Sequence, residues 1–320
     1  MKKLLVIMLA LTMVLSLSGI ALAEEDYEDS NSVEVNKEMT LTNEETINPA
    51  ETFSFTVGEG TVTGSSATSA PALPSPFTID VAEGGASGST NINLPAFNRV
   101  GVYTYPINET PGNTAGMDYD TGTNNLVITV TNNPAYDGGS NEPEFLRVLT
   151  MAGTDGKKID AFTNTFSAGD LTITKETTGN FGDPEDEFTV TVKLTPPAGK
   201  DIKAGPIDTT GADSFTDNED GTFTATYTVS HGSNFTLKNI PYGVGYTVEE
   251  EENDMEYTAT YTGDEGAIDD ATQTAAITNT RNTEVATGIN LDNLPYILLL
   301  AVALGGLFLF GMRKRFGLVK

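Results

Sequence analysis

Short segments in which apolar and polar residues alternate follow one another through most of the chain. Examples are ETFSFTVG, GVYTYPINE and NLVITVTN in the first half, and DLTITKET, DEFTVTVKL and GTFTATYTV in the second. Turns rich in Gly, Asn, Asp and Pro separate them, and a period of two is typical of strands with one buried face. The pattern predicts an all-β body built from antiparallel sandwiches, with no amphipathic helix.

The two halves of this body repeat the same features in the same order. Each has a first strand with a central lysine (Lys37 or Lys175), then a Phe-rich strand, a Tyr-x-Ile/Val-x-Glu strand and a last strand with a central asparagine. This order predicts two tandem immunoglobulin-like (Cna-B-like) domains, residues 24–168 and 169–282. The first copy is longer between its glutamate and its asparagine, which leaves room for an extra hairpin or long loop.

The alternation also directs charged and polar residues toward the interior, because residues two apart share one face of a strand. In each copy the inward positions include one lysine, one glutamate and one asparagine. These sets are Lys37, Glu109 and Asn164, and Lys175, Glu250 and Asn279. Glu249 is a rival for the position of Glu250, and Asn282 for that of Asn279. A single buried charge would be unusual, but the recurrence of all three residue types favours a shared role.

Burial favours the neutral forms of lysine and glutamate. A neutral amine is a nucleophile that can attack the asparagine side-chain carbonyl, while a protonated glutamate hydrogen-bonds the carbonyl oxygen and passes protons to the departing ammonia. The expected product is a lysine-asparagine isopeptide bond in each copy, formed once and without turnover. We expect no other enzymatic activity.

The ends of the chain have the patterns of export and retention segments. Residues 1–23 combine a basic start, an apolar run and the ending Ala-Leu-Ala, which is typical of a signal peptide. Residues 294–312 are almost wholly apolar and precede Arg313, Lys314 and Arg315, which favours a membrane helix with its basic end in the cytoplasm. The segment 283–320 would then hold the exported body at the cell surface.

The composition of the chain argues against several kinds of partner, crosslink and catalytic site. The chain has 45 acidic and 17 basic residues, a formal charge of -28, and this argues against nucleic acid as a partner. It has no cysteine, so disulfides cannot stabilise an exported protein of this kind. His231 is the single histidine, so neither a nucleophile-histidine pair nor a zinc site is indicated, and we expect no metal and no cofactor.

The stretches VNKEMTL, GVYTYPINE, FTNTF, LTITKETTGN, YGVGYTVEE and AITNTR resemble the isopeptide-linked pilin domains of Gram-positive bacteria, especially the two-domain backbone pilins of the streptococcal T-antigen type. The resemblance covers nearly the whole chain. It implies two bonds, Lys37 to Asn164 assisted by Glu109, and Lys175 to Asn279 assisted by Glu250.

Two further features carry the resemblance. Glu284-Val285-Ala286-Thr287-Gly288 stands where this family has Glu-Val-Pro-Thr-Gly, which implies sortase cleavage between Thr287 and Gly288. Ala286 in place of proline leaves the sortase class open, and an unprocessed tail-anchored protein is the alternative. Lys157, seven residues before Asn164, resembles the acceptor lysine of the family, with Lys158 as its rival.

The resemblance therefore implies a shaft subunit of a covalently polymerised pilus on the cell wall. Its expected partners are copies of itself, sortase, minor pilins, peptidoglycan and host surface ligands. The alternative is a wall-anchored adhesin or a minor pilin, at the tip or base, that binds a host ligand.

Overall fold

The structure, a computed structural model, describes residues 29–139, 142–284 and 294–315. The predicted signal peptide (1–23) and the predicted sortase junction at Thr287 and Gly288 lie outside the described residues. The chain forms two compact units. Among the described residues, unit 1 contains those up to Gly169 together with Pro196–Ile207 and Asn239–Gly243, and unit 2 contains Asp170–Thr195, Asp208–Lys238 and those from Val244 onward.

Unit 1 is built from two sheets. Its strands are β1 (Ser32–Leu41), β2 (Glu51–Val57), β3 (Thr61–Thr63), β4 (Phe77–Val81), β5 (Ser87–Asn93), β6 (Gly101–Thr110), β7 (Met117–Asp118), β8 (Thr123–Asn132), β9 (Phe145–Ala152) and β10 (Phe162–Phe166). One sheet has the order β5-β1-β10-β7, and the other has the order β4-β2-β6-β8-β9 with β3 also paired to β6. Alternate residues of both sheets enter one core, which includes Val35, Phe55, Tyr105, Ile128 and Phe166.

Unit 2 repeats this plan with fewer strands in the region between its glutamate and its asparagine. Its strands are β11 (Ala168–Thr178), β12 (Phe188–Thr195), β13 (Ser214–Asp217), β14 (Phe223–Val229), β15 (Asn234–Pro241), β16 (Gly245–Glu250), β17 (Thr258–Thr262), β18 (Glu265–Ala267) and β19 (Thr272–Thr280). The sheet orders are β15-β11-β19-β17 and β13-β14-β12-β16-β18. In unit 1 the extra length forms the β8–β9 hairpin, at the place where the sequence left room for one.

One topological feature is common to the two units. The first strand of each lies parallel to the last strand of the same unit, β1 beside β10 and β11 beside β19. Antiparallel pairs make up most of the remaining ladders. The prediction of all-β sandwiches is confirmed by the four sheets and by the solved structures of the same fold. Alternation also holds along β1, where Val33, Val35 and Met39 are buried, but it stops at Leu41, which is exposed at the end of the strand.

The C-terminal apolar segment forms a helix, α1 (Leu294–Arg315). Within the described residues it is the one helix long and apolar enough to cross a membrane, over Pro295–Arg313 with a mean hydropathy of 2.1. Its 22 residues correspond to about 33 Å at 1.5 Å per residue, which matches a hydrocarbon layer of about 30 Å.

Candidate functional site

The interior of unit 1 contains a lysine, a glutamate and an asparagine in direct contact. The Lys37 side chain is fully buried, and its Nζ lies 2.6 Å from Oε2 of Glu109. Nδ2 of Asn164 donates to the other carboxylate oxygen, Oε1 of Glu109, also at 2.6 Å. Glu109 therefore bridges the amine and the amide, and the fold brings together the three residues that strand alternation directed inward.

Unit 2 contains a second cluster with the same connections. Nζ of Lys175 lies 2.6 Å from Oε2 of Glu250, and Nδ2 of Asn279 donates to Oε1 of Glu250 at 2.7 Å. Lys175 and Asn279 are buried, and the Glu250 side chain is 3% exposed although its backbone is more accessible. The two units thus build the same three-residue arrangement from separate parts of the sequence.

Strand register explains why the lysine and the asparagine meet. Lys37 lies on β1 two residues before Met39, which pairs with Asn164 on β10. Lys175 lies on β11 two residues before Thr177, which pairs with Asn279 on β19. The offset is identical, and a long lysine side chain spans it along the shared inner face. The glutamate comes from the facing sheet, from β6 in unit 1 and from β16 in unit 2.

Each lysine amine also lies near an aromatic ring. Nζ of Lys37 is 4.8 Å from the ring centroid of Phe53, and Nζ of Lys175 is 4.1 Å from that of Phe188. Both phenylalanines stand at the corresponding position of the Phe-rich strand of their unit, β2 and β12. Sequence reasoning did not assign them a role, although their recurrence in the repeat was the signal that could have identified them. Their rings keep water away from the amines.

Burial shifts the protonation of these groups. It lowers the pKa of Lys37 and raises the pKa of Glu109, because the apolar interior disfavours both charged forms, while the hydrogen bond between the two groups opposes each shift. Burial likewise lowers the pKa of Lys175, against the opposing hydrogen bond from Glu250. Burial therefore shifts both lysines toward the neutral, nucleophilic amine.

The hydrogen bonds of the unreacted asparagine amide differ from the contact that the sequence led us to expect during the reaction. Sequence reasoning placed the glutamate on the carbonyl oxygen of the asparagine, but in both clusters the glutamate accepts from the amide nitrogen. In unit 1 the carbonyl oxygen, Oδ1 of Asn164, instead accepts a hydrogen bond of 2.7 Å from the backbone N–H of Asp120.

Glu249 and Asn282, the rivals of Glu250 and Asn279, lie outside the unit 2 cluster. Glu249 is exposed on β16, pointing away from the interior that receives Glu250. Asn282 lies beyond β19, and its Oδ1 accepts a hydrogen bond from the backbone N–H of Asn180.

The two candidate acceptor lysines lie in the turn between β9 and β10. The Lys157 side chain is 83% exposed and pairs with Asp155 at 2.8 Å. The Lys158 side chain is 33% exposed, pairs with Asp160 at 3.1 Å, and its backbone bridges to Ala152. Lys157 is therefore the more accessible amine. In the parts of the chain that the structure describes, no group of three metal-ligating side chains occurs.

The fold and the duplicated cluster define a tandem β-sandwich protein with one buried lysine-glutamate-asparagine cluster in each unit. Residues 33–167 match the Spy0128-like isopeptide containing domain, and residues 169–281 match a domain of unknown function (DUF7601). A curated relative described as a pilin, from Streptococcus pyogenes serotype M1, is 25% identical over 311 residues, which cover 88% of this chain and 90% of the relative.

Solved structures show the same fold. The major pilin T3.2 from Streptococcus pyogenes serotype GAS13637 aligns with 79% of this chain and 99% of its own, with a TM-score of 0.52 and 24% identity. Another major pilin from Streptococcus pyogenes aligns with 80% of this chain and 100% of its own, with a TM-score of 0.54 and 19% identity. The resemblance to Gram-positive backbone pilins is confirmed.

Proposed function

We propose that this protein is a structural shaft subunit of a sortase-assembled, covalently polymerised cell-surface pilus, with one lysine-asparagine isopeptide bond in each unit. The observation that carries the proposal is the repetition of one cluster, with the same register and the same bridging glutamate, in two units of the chain. Chance burial of a lone charged residue is rare, so two matched sets indicate a shared reaction.

The reaction in unit 1 balances without an oxidant or a cofactor. Nζ of Lys37 attacks Cγ of Asn164, and the new C–N bond forms as the bond from Cγ to Nδ2 breaks. Glu109, which contacts both nitrogens, gives its proton to Nδ2, which leaves as ammonia, and takes in exchange the proton that the amine loses. Lys175, Glu250 and Asn279 perform the same step in unit 2. Each site reacts once, so the protein is not an enzyme with turnover.

The position of the bonds suits a fibre under tension. An amide between Lys175 and Asn279 joins the first and last strands of unit 2, so force bypasses the sheets between them. In unit 1, force that enters through Lys157 reaches Asn164 after seven residues. The amide to Lys37 then holds β10 against β1 and prevents its extraction from the sheet. An amide is also indifferent to thiols, which agrees with a chain that has no cysteine.

Polymerisation requires an acyl donor and an accessible amine. Thr287 would supply the acyl group after sortase cuts before Gly288, and Lys157, the more exposed of the two turn lysines, would accept it in the next subunit. The apolar helix α1 would hold the precursor in the membrane until transfer. Sortase, minor pilins and the peptidoglycan of the wall are then the partners, and the cell surface is the location.

Intact mass tests the internal bonds. The exported protein should weigh less than its sequence by two ammonia molecules, and peptides that contain Lys37 with Asn164 and Lys175 with Asn279 should remain joined after proteolysis. An unmodified mass would refute the crosslinks.

Gel electrophoresis of wall extracts boiled in detergent tests polymerisation. The wild type should give a ladder of multimers, Lys157→Ala should reduce it to the monomer, and Lys158→Ala, the matched control, should keep it. A single band recovered from wall-free membranes would contradict the shaft assignment.

A further inference from the structure

The two clusters differ in what faces the carbonyl oxygen of the asparagine. In unit 1 the backbone N–H of Asp120 donates to Oδ1 of Asn164 at 2.7 Å. In unit 2, Oδ1 of Asn279 is buried and has no hydrogen-bond partner within the described part of the chain. All other polar connections among the lysine, glutamate and asparagine are the same in the two units.

The segment after β7 holds this donor in place from both sides. On one side the Tyr119 ring is buried, and its hydroxyl donates to Oε1 of Glu51 and accepts from the Thr114 N–H. On the other side, the Asp120 carboxylate accepts from the Gly122 N–H at 2.8 Å and from Nδ2 of Asn124 at 3.2 Å. The N–H of residue 120 is therefore fixed in direction before any reaction begins.

Strand pairing explains the difference between the units. In unit 1, β7 pairs with β10 only at two positions, and the last of these, Asp118 opposite Thr165, stops one residue short of Asn164. The chain then leaves the ladder, so a backbone N–H can turn toward the asparagine side chain. In unit 2, β17 pairs with β19 on both sides of Asn279, from Thr258 to Thr262. The backbone of β17 therefore pairs with the backbone of β19 and not with the side-chain oxygen of Asn279.

We propose that the backbone N–H of Asp120 is an oxyanion donor for isopeptide formation in unit 1, and that unit 2 forms its bond without such a donor. This inference rests on the crosslinking reaction proposed above. When the Lys37 amine adds to Cγ, negative charge develops on Oδ1 of Asn164, and a preorganised N–H within hydrogen-bond distance stabilises it. The charge returns to the carbonyl when the bond to Nδ2 breaks and ammonia leaves. The glutamate moves protons between the nitrogens, and Asp120 acts on the oxygen.

The experiment removes this one N–H and times the reaction. Full-length chain is produced by cell-free translation, samples are quenched in denaturant over time, and the two crosslinked peptides are quantified by mass spectrometry. Asp120→Pro lacks the N–H, and Asp120→Ala, its matched control, loses the carboxylate but keeps the N–H. Asp120 has no positive φ, so proline does not require a reversed backbone there. A backbone ester at position 120, made with the α-hydroxy analogue of aspartate, removes the N–H without any ring.

We expect the ester and Asp120→Pro to slow the Lys37 to Asn164 bond by about 100-fold, the loss seen when one oxyanion donor is removed, and Asp120→Ala to slow it far less. The Lys175 to Asn279 bond should form at the same rate in every variant, and its formation is the internal reference for the unit 1 reaction. If the proline variant fails to fold, the ester decides the matter. An unchanged rate for the ester would overturn the inference about Asp120 and leave the proposed function intact. Absence of both bonds in the wild type would refute the proposed function itself.

Discussion

Replacement of Glu109 by glutamine should prevent the unit 1 crosslink and lower the stability of that unit by a predictable amount. Glutamine keeps the shape of the side chain but cannot give a proton to Asn164 and take one from Lys37. The intact mass of Glu109→Gln should therefore exceed that of the wild type by one ammonia molecule, after allowance for the substitution. Glu249→Gln, on the exposed face of β16, is the matched control that should keep both bonds.

The size of the stability loss follows from the loop that the bond closes. Lys37 and Asn164 are 127 positions apart (164 minus 37). The chain-entropy treatment of crosslinks gives about 5 kcal/mol for a loop of this length, through restriction of the unfolded chain. For a unit of this size, that corresponds to a fall of roughly 15–20 °C in melting temperature.

A second effect must be separated from the first. Loss of Glu109 also leaves the buried Lys37 without its ion-pair partner, which alone can cost about 3–5 kcal/mol. The double variant Lys37→Met with Glu109→Gln removes the amine while keeping its apolar volume, and it cannot crosslink either. Its remaining deficit against the wild type measures the bond. Scanning calorimetry makes the comparison, and a double variant that melts within a few degrees of the wild type would refute the reasoning.

Two further predictions concern the rivals and pH. Asn282→Ala should retain the unit 2 bond and Asn279→Ala should lose it, as measured by intact mass. The reverse result would show that Asn282, and not Asn279, forms the bond. Crosslinking in freshly translated protein should slow as pH falls through the folded-state pKa of Lys37, because protonation removes the nucleophile. Burial lowers that pKa, so the crosslinking rate should be maintained at pH values below the ordinary pKa of lysine. A crosslinking rate that falls sharply just below the ordinary pKa would contradict this expectation.

Much of the candidate site could be read from strand periodicity. Alternation along β1 placed Lys37 among Val35 and Met39, and all three are buried. The same rule preferred Glu250 over Glu249, and the structure places Glu250 at the cluster. These inferences succeed because the face on which a strand residue lies depends only on local geometry, with a period of two.

The tertiary structure decided what the residues meet across the sheets. Sequence alone could not show that the lysine and asparagine strands are parallel neighbours with a two-residue offset, since register depends on pairing between distant segments. Sequence alone also did not show that the glutamate accepts from the asparagine nitrogen in the unreacted clusters. The Asp120 N–H left no sequence signal, because every residue except proline carries such a group. Only the early end of the β7 ladder turns that N–H toward Asn164.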